Sequence, residues 1–284
     1  MDNTEMQQTS RQYKDTLFRA LFGESKRFLE LYNAVADDSF PDSTAVTPFP
    51  PNSILARFND LVGLVGAQLV VFFEQQSSPS LNMPLRLLRY TTDVLYSQIV
   101  DLDKLYGSAQ VMIPTPKFYI LYNGEQSFNK QVLRLSDAFA QSDSEPALEL
   151  TAKIVNINYG SGESAFNRSE TLNGYSFLVA EIRRNIRGGM KRDAAIIAAI
   201  DTCIKQDVLK SFLSDKLEEV VKMLNYEYDA EAEKKVLRQE GRQEGRQEGR
   251  QEGVELVEKL LKDGLTVEEA LAKAKKEATE VSPS

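Results

Sequence analysis

Two short apolar runs, Leu61–Val65 and Leu69–Phe73, stand on either side of Gly66-Ala67-Gln68. They are rich in β-branched and aromatic residues and too short for helices. They predict two buried antiparallel strands joined by a tight turn. The constraint lies in what they carry at their outer ends. Asp60 precedes the first run, Glu74 closes the second, and Gln76 follows two residues on. An unpaired carboxylate is costly to bury, so the fold must supply something to hold these acids. A divalent cation is the economical candidate.

The spacing sets a geometric condition. Glu74 and Gln76, two apart on one strand, share a face. Asp60 joins them only if the hairpin pairs residue 60 with 74 and Val65 with Leu69, leaving the loop Gly66-Ala67-Gln68, or if a bulge near Gly63 restores the same phase. A two-residue loop shifts the register by one and turns Asp60 to the wrong face. Directly opposite positions have Cβ atoms about 4.5–5.5 Å apart, close enough for two carboxylates to share one ion. Two carboxylates and a carbonyl, completed by water, describe a Mg2+ phosphodiesterase centre. Gln76 could hold a water or a phosphate there by hydrogen bonds. As a neutral amide it is neither a base nor a charged helper.

Composition sharpens this by elimination. The 284 residues include no histidine and one cysteine, Cys203. Internal disulfides, Cys/His zinc sites, Ser-His-Asp and Cys-His catalysis are therefore excluded. Cys203 lies in the apolar run Ala194–Ile204 and reads as a core thiol. The remaining chemistry belongs to carboxylates, amides, Lys, Arg, Tyr and Ser, which points to hard cations with oxygen ligands. The net charge of −8 does not itself suggest a nucleic-acid binder, although basic residues can cluster locally. No apolar run approaches about 18 residues, and the polar N-terminus lacks an apolar export segment. The expectation is a cytoplasmic protein with no membrane partner.

Along the chain, Tyr13 to Val35 has helical spacing interrupted at Gly23. Asp15 falls in its first turn, where it either favours the helix dipole or points into the site. Residues 37–52 read as a loop with one short strand, and Met83–Tyr106 as a helix with Pro84 in its first turn. Strands are expected at Lys117–Tyr122 and Leu148–Tyr159, and helices over 166–187, 190–206 and 207–226. This order predicts an α/β fold, a mixed sheet flanked by helices, over 1–160. A helical subdomain follows over 161–229 and a repeat-rich tail over 230–284. The tail holds Arg-Gln-Glu-Gly four times from Arg238 to Gly253. As a helix its four glycines would cost about 4 kcal/mol relative to alanine, and its period stacks like charges at i,i+4. It is either a solvated tether or a helix against a partner that pairs its stripes, which makes it a candidate for homo-oligomer formation.

Several stretches together resemble a known family. They are Asn59-Asp60-Leu61, Val70-Val-Phe-Phe-Glu74-Gln-Gln76-Ser77, Asn82-Met-Pro-Leu-Arg86-Leu-Leu-Arg89-Tyr90 and Ile113-Pro-Thr-Pro-Lys-Phe-Tyr-Ile-Leu-Tyr122-Asn-Gly124. They closely resemble the Rpn family of recombination-promoting nucleases and transposase-like proteins, in the PD-(D/E)XK nuclease superfamily. Lys14-Asp15-x-x-Phe18 resembles that family's opening helix, and the likeness runs over roughly residues 13–253. It implies a restriction-endonuclease-like core and Mg2+-dependent DNA endonuclease activity, linked to recombination, mobile elements or phage defence. It also implies metal binding by Asp60 and Glu74, Gln76 in the superfamily's usual lysine position, and an acid from the first helix at Asp15. The family often reads Glu-His-Gln-Ser where this chain has Gln75, a position expected to face away from the acids.

DNA contacts would then be needed. Arg183, Arg184, Arg187, Lys191 and Arg192 form the densest basic cluster, which could grip phosphates or simply be a solvated helix end. Arg86 and Arg89 are nearer the site in sequence, and Arg86 could equally pair with Asp60 or Glu74. Two functions remain: a DNA endonuclease, or a catalytically weak or inactive nuclease-fold protein acting as a DNA-binding, oligomerising regulatory module.

Overall fold

The computed structural model describes residues 17–49 and 60–225, residue 60 through its backbone alone. Beyond these it describes 253–254, 256–257, 260–261, 266–269 and 273. Asp15, the Asp60 side chain and the repeat at 238–252 lie outside the described residues. The chain divides into two compact units, 1–226 and 227–284.

The first unit is a mixed α/β layer. Helices α1 (Leu17–Phe22) and α2 (Ser25–Val35) are separated at Gly23, where a Cβ would come 2.6 Å from the Arg19 carbonyl oxygen. Strand β1 (Val46–Pro48) follows, then the hairpin β2 (Asp60–Val65) and β3 (Leu69–Gln76). After α3 (Met83–Val94) come β4 (Thr115–Tyr122), β5 (Val132–Arg134) and β6 (Thr151–Asn156). The sheet order is β1-β2-β3-β4-β6-β5. The β3–β4 and β4–β6 pairs are parallel, and β1–β2, β2–β3 and β5–β6 are antiparallel.

The hairpin register is the one the acids demanded: Asp60 pairs with Glu74 and Val65 with Leu69. The three-residue loop achieves this with left-handed backbone at Gly66 (φ 58°) and Ala67 (φ 56°). Glycine takes the first of these without steric cost, and Ala67 bears the strain.

Strand alternation then sorts the side chains. Val62, Val70, Phe72, Ile120 and Tyr122 share a core with Met83, Leu87, Tyr90 and Val94 of α3. On the other face the Phe28 ring of α2 meets Phe73 at 5.1 Å, and Tyr32 meets Tyr119 at 6.0 Å. Helix α3 is shorter than its periodicity suggests. It ends in a π-helical turn, Leu95–Ile99, and Val100 becomes extended. The Asp101 carboxylate accepts from the Asp103 amide and starts a separate 3-10 turn, Leu102–Tyr106, in competition with the helix.

Four further helices follow: α4 (Ala165–Arg168), α5 (Glu170–Arg187), α6 (Arg192–Lys205) and α7 (Lys210–Asp215), with helical backbone again at 217–225. Extended Ser169 interrupts the helix predicted from 166, and its hydroxyl oxygen accepts from the Leu172 amide. Glu30 of α2 fixes that start, accepting from Ser169 Oγ at 2.6 Å and Thr171 Oγ1 at 2.9 Å. In the second unit Thr266 and Glu269 form a reciprocal capping box, Thr266 N donating to Glu269 Oε2 at 2.9 Å and Glu269 N to Thr266 Oγ1 at 3.4 Å. Among the described residues no helix is long and apolar enough to cross a membrane.

Candidate active site

Glu74 and Gln76 end β3 on the face covered by α3, and both are buried, 4% and 8% exposed. The register puts position 60 opposite Glu74 on that face. Buried carboxylates need compensation, and α3 provides it. Arg86 Nη2 donates to Glu74 Oε1 at 2.7 Å, while Arg86 Nε donates to the Tyr90 hydroxyl at 2.9 Å. Arg86 and Tyr90 are one turn apart, so they lie side by side on the helix. The Arg86 side chain is 40% exposed against 5% for Glu74, so it spans from the carboxylate to solvent. Burial draws the Arg86 guanidinium down, but the Glu74 charge and the bonds to Tyr90 and Glu74 outweigh it and raise its pKa. Burial also raises the Tyr90 hydroxyl, against the nearby Arg86 charge. Of the two sequence readings of Arg86, the ion pair with Glu74 is the one observed.

Gln76 presents a different problem. Its Oε1 is buried and has no hydrogen-bond partner among the described residues, and the same holds for Asn123 Oδ1 just beyond β4. The two strand ends are tied together, Asn123 N donating to the Gln76 carbonyl at 2.9 Å. An orphaned buried acceptor calls for a physical account, and a bound cation or its water is one. Gln75 points the other way, as expected: its Nε2 donates to the Tyr175 hydroxyl of α5 at 2.6 Å.

The basic residues fall into two groups. Arg183 Nη1 donates to Asn158 Oδ1 at 3.1 Å, and Asn158 Nδ2 in turn donates to the Gly124 carbonyl at 3.0 Å. Arg187 lies 3.4 Å from Glu125. These two arginines therefore reach the loops at the carboxyl ends of β4 and β6, the sheet edge that also carries Glu74 and Gln76. The others do not converge there: Arg184 pairs with Glu181 on its own helix, Arg192 with Asp193, and Arg89 lies 3.9 Å from Asp93. Lys191 is exposed at the start of α6. Sequence reasoning assigned no role to Tyr90, Asn123 or Asn158. Only Tyr90 carried a signal, its i,i+4 spacing from Arg86.

A cleft of about 550 Å³ lies elsewhere, lined by Arg27, Lys210 and Phe212 together with Glu170 and Asp207. Its two cations and two acids balance, so it is no anion groove.

Among the described residues no group of three His, Cys, Asp or Glu side chains is placed to hold a metal. The described oxygen donors at the hairpin are the Glu74 carboxylate and the Gln76 amide oxygen. Both are donor types that Mg2+ accepts, and the orphaned Gln76 Oε1 fits a cation or its water. Arg86 would compete for Glu74. No family model, curated protein or solved structure matches this chain.

Proposed function

We propose that this chain is a Mg2+-dependent DNA endonuclease with a PD-(D/E)XK-type core, similar to the Rpn family and linked to recombination, mobile elements or phage defence. The observation that carries this is the hairpin register, with positions 60, 74 and 76 on one face at the carboxyl end of β3. Asp60, Glu74 and Gln76 would hold the ion. When bound, Mg2+ supplies Lewis-acid polarisation of the phosphoryl oxygen and lowers the pKa of a coordinated water. Gln76 keeps its amide available to orient that water or a phosphate oxygen. Arg183 and Arg187, at the same sheet edge, offer guanidinium forks to the DNA backbone. Before the ion binds, Arg86, itself braced by the Tyr90 hydroxyl, holds Glu74 in place.

The ion pair between Arg86 and Glu74 favours a second reading. A carboxylate already neutralised at 2.7 Å suits a structural role, and the chain would then be a DNA-binding regulatory module of the same fold, oligomerising through its tail. Nicking of supercoiled plasmid with Mg2+ separates the two. Wild type should convert it to open circle and Asp60→Ala should not. Equal nicking by both proteins, or none by either, would remove the endonuclease reading.

A further inference from the structure

Arg86 is placed for more than bracing an acid. Its guanidinium stands between solvent and a carboxylate that is only 5% exposed, and its side chain is itself 40% exposed. It has two anchors. One is Glu74 at 2.7 Å; the other is Tyr90, whose hydroxyl accepts from Nε at 2.9 Å and whose ring centroid lies 5.8 Å from Cζ. If the Glu74 bond is lost, the Tyr90 anchor still holds the fork at the mouth of the site. Gln76 contributes no positive charge there, and a phosphodiester needs one.

We infer that Arg86 is an exchangeable counter-ion: it neutralises Glu74 before a divalent cation binds and turns to the DNA phosphate when Glu74 takes that cation. This rests on the endonuclease reading and adds an order of events to it. A guanidinium and a divalent cation compete for one buried carboxylate and repel each other across it. Displaced from Glu74 but still held by Tyr90, Arg86 presents free N–H donors outward in the planar geometry that suits two phosphate oxygens. Cation and DNA therefore bind with positive coupling, and by linkage each tightens the other. Without the cation, Arg86 stays on Glu74 and contributes little to DNA binding.

The test uses the full chain and two probes. Mn2+ binding is followed by electron paramagnetic resonance. Binding of a fluorescein-labelled duplex is followed by anisotropy, with and without Ca2+ as a non-hydrolysing cation. In wild type, Ca2+ should tighten duplex binding by about fivefold or more. Arg86→Gln should bind Mn2+ more tightly than wild type, lose the Ca2+ effect on duplex binding, and nick about a hundredfold more slowly at saturating Mn2+. Arg86→Lys keeps the competing charge but loses the fork. It should bind Mn2+ as wild type does and still nick slowly, which answers the question if Arg86→Gln does not fold. Weaker Mn2+ binding by Arg86→Gln, or duplex binding in wild type that ignores Ca2+, would make Arg86 a brace and overturn the inference. Undiminished Mn2+ affinity in Glu74→Gln would instead overturn the metal site beneath it.

Discussion

Gln75 and Tyr175 meet at 2.6 Å, amide nitrogen to phenol oxygen, across 100 residues of sequence. The bond fastens α5 to β3 on the face opposite Glu74, and Tyr175 also packs edge-on against Phe18 of α1 at 5.5 Å. It therefore sets how α5 lies on the sheet, and with it where Arg183 reaches the strand ends. Tyr175→Phe removes the buried hydroxyl and leaves the amide without this acceptor. The expected loss is about 1 kcal/mol, read by urea denaturation, or about 2–4 °C in Tm for a domain of this size. Gln75→His retains a ring N–H for Tyr175, so it should unfold within about 0.5 kcal/mol of wild type.

The features legible in the sequence were those with a local cause. Alternation and the turn residues marked the hairpin. The demand that Asp60 meet Glu74 selected its register, because a period of two allows only one parity of loop. Gly23 marked the break between α1 and α2. What stayed hidden depended on distant partners. The helix expected from 166 instead restarts at Ser169 because Glu30, 139 residues earlier, accepts from its hydroxyl. Arg86 could not be assigned between Glu74 and DNA, since spacing along α3 says nothing about which rotamer meets β3. Strand β5, three residues long, was too short to leave a periodic signal.

Gly124 controls how the chain leaves the site. A Cβ there would lie 2.2 Å from the Ser77 carbonyl oxygen and 2.3 Å from the Tyr122 hydroxyl. Ser77 directly follows Gln76, so the backbone after β3 and the backbone after β4 touch at this glycine. Gly124→Ala must push them apart and strain the Asn123–Gln76 bond at 2.9 Å. Overpacking of this kind costs about 1–3 kcal/mol. Thermal unfolding should show that loss, and on the proposed endonuclease reading plasmid nicking should fall with it because Gln76 moves. A variant as stable as wild type would mean that the two loops yield independently.

Cys203 should be chemically silent in the native protein. Burial, reinforced by the Glu181 charge, pushes its thiol up to about 12. At pH 8 the thiolate fraction is then about one in ten thousand, and the thiolate is the reactive form. Ellman's reagent should find no thiol in the folded chain and one after urea. Since the ordinary value is 9.0, stability is untouched below that pH. It declines between 9 and about 12, where only the unfolded thiol ionises.

Acid should loosen the far edge of the sheet first. The Glu149 carboxylate accepts from Ser136 Oγ at 2.6 Å, Leu150 N at 2.9 Å, Leu135 N at 3.0 Å and Ser136 N at 3.2 Å. These bonds, the Ser136 hydroxyl foremost, hold its pKa below the ordinary 4.5. A carboxyl lowered by folding stabilises the native state above its unfolded value, and that contribution is lost as pH falls through the folded one. The window therefore lies below pH 4.5, and the carboxyl's full exposure to solvent keeps the effect small. It is also local, because Glu149 pins the 3-10 turn Leu135–Ala138 to the start of β6. The protection of the Leu135 and Leu150 amides against exchange, relative to the intrinsic rate at each pH, should fall below that pH in wild type. In Glu149→Gln that protection should already be low at pH 6 and should not change further with acid. An unchanged exchange profile in Glu149→Gln would show that the β5–β6 backbone holds this edge without the carboxylate.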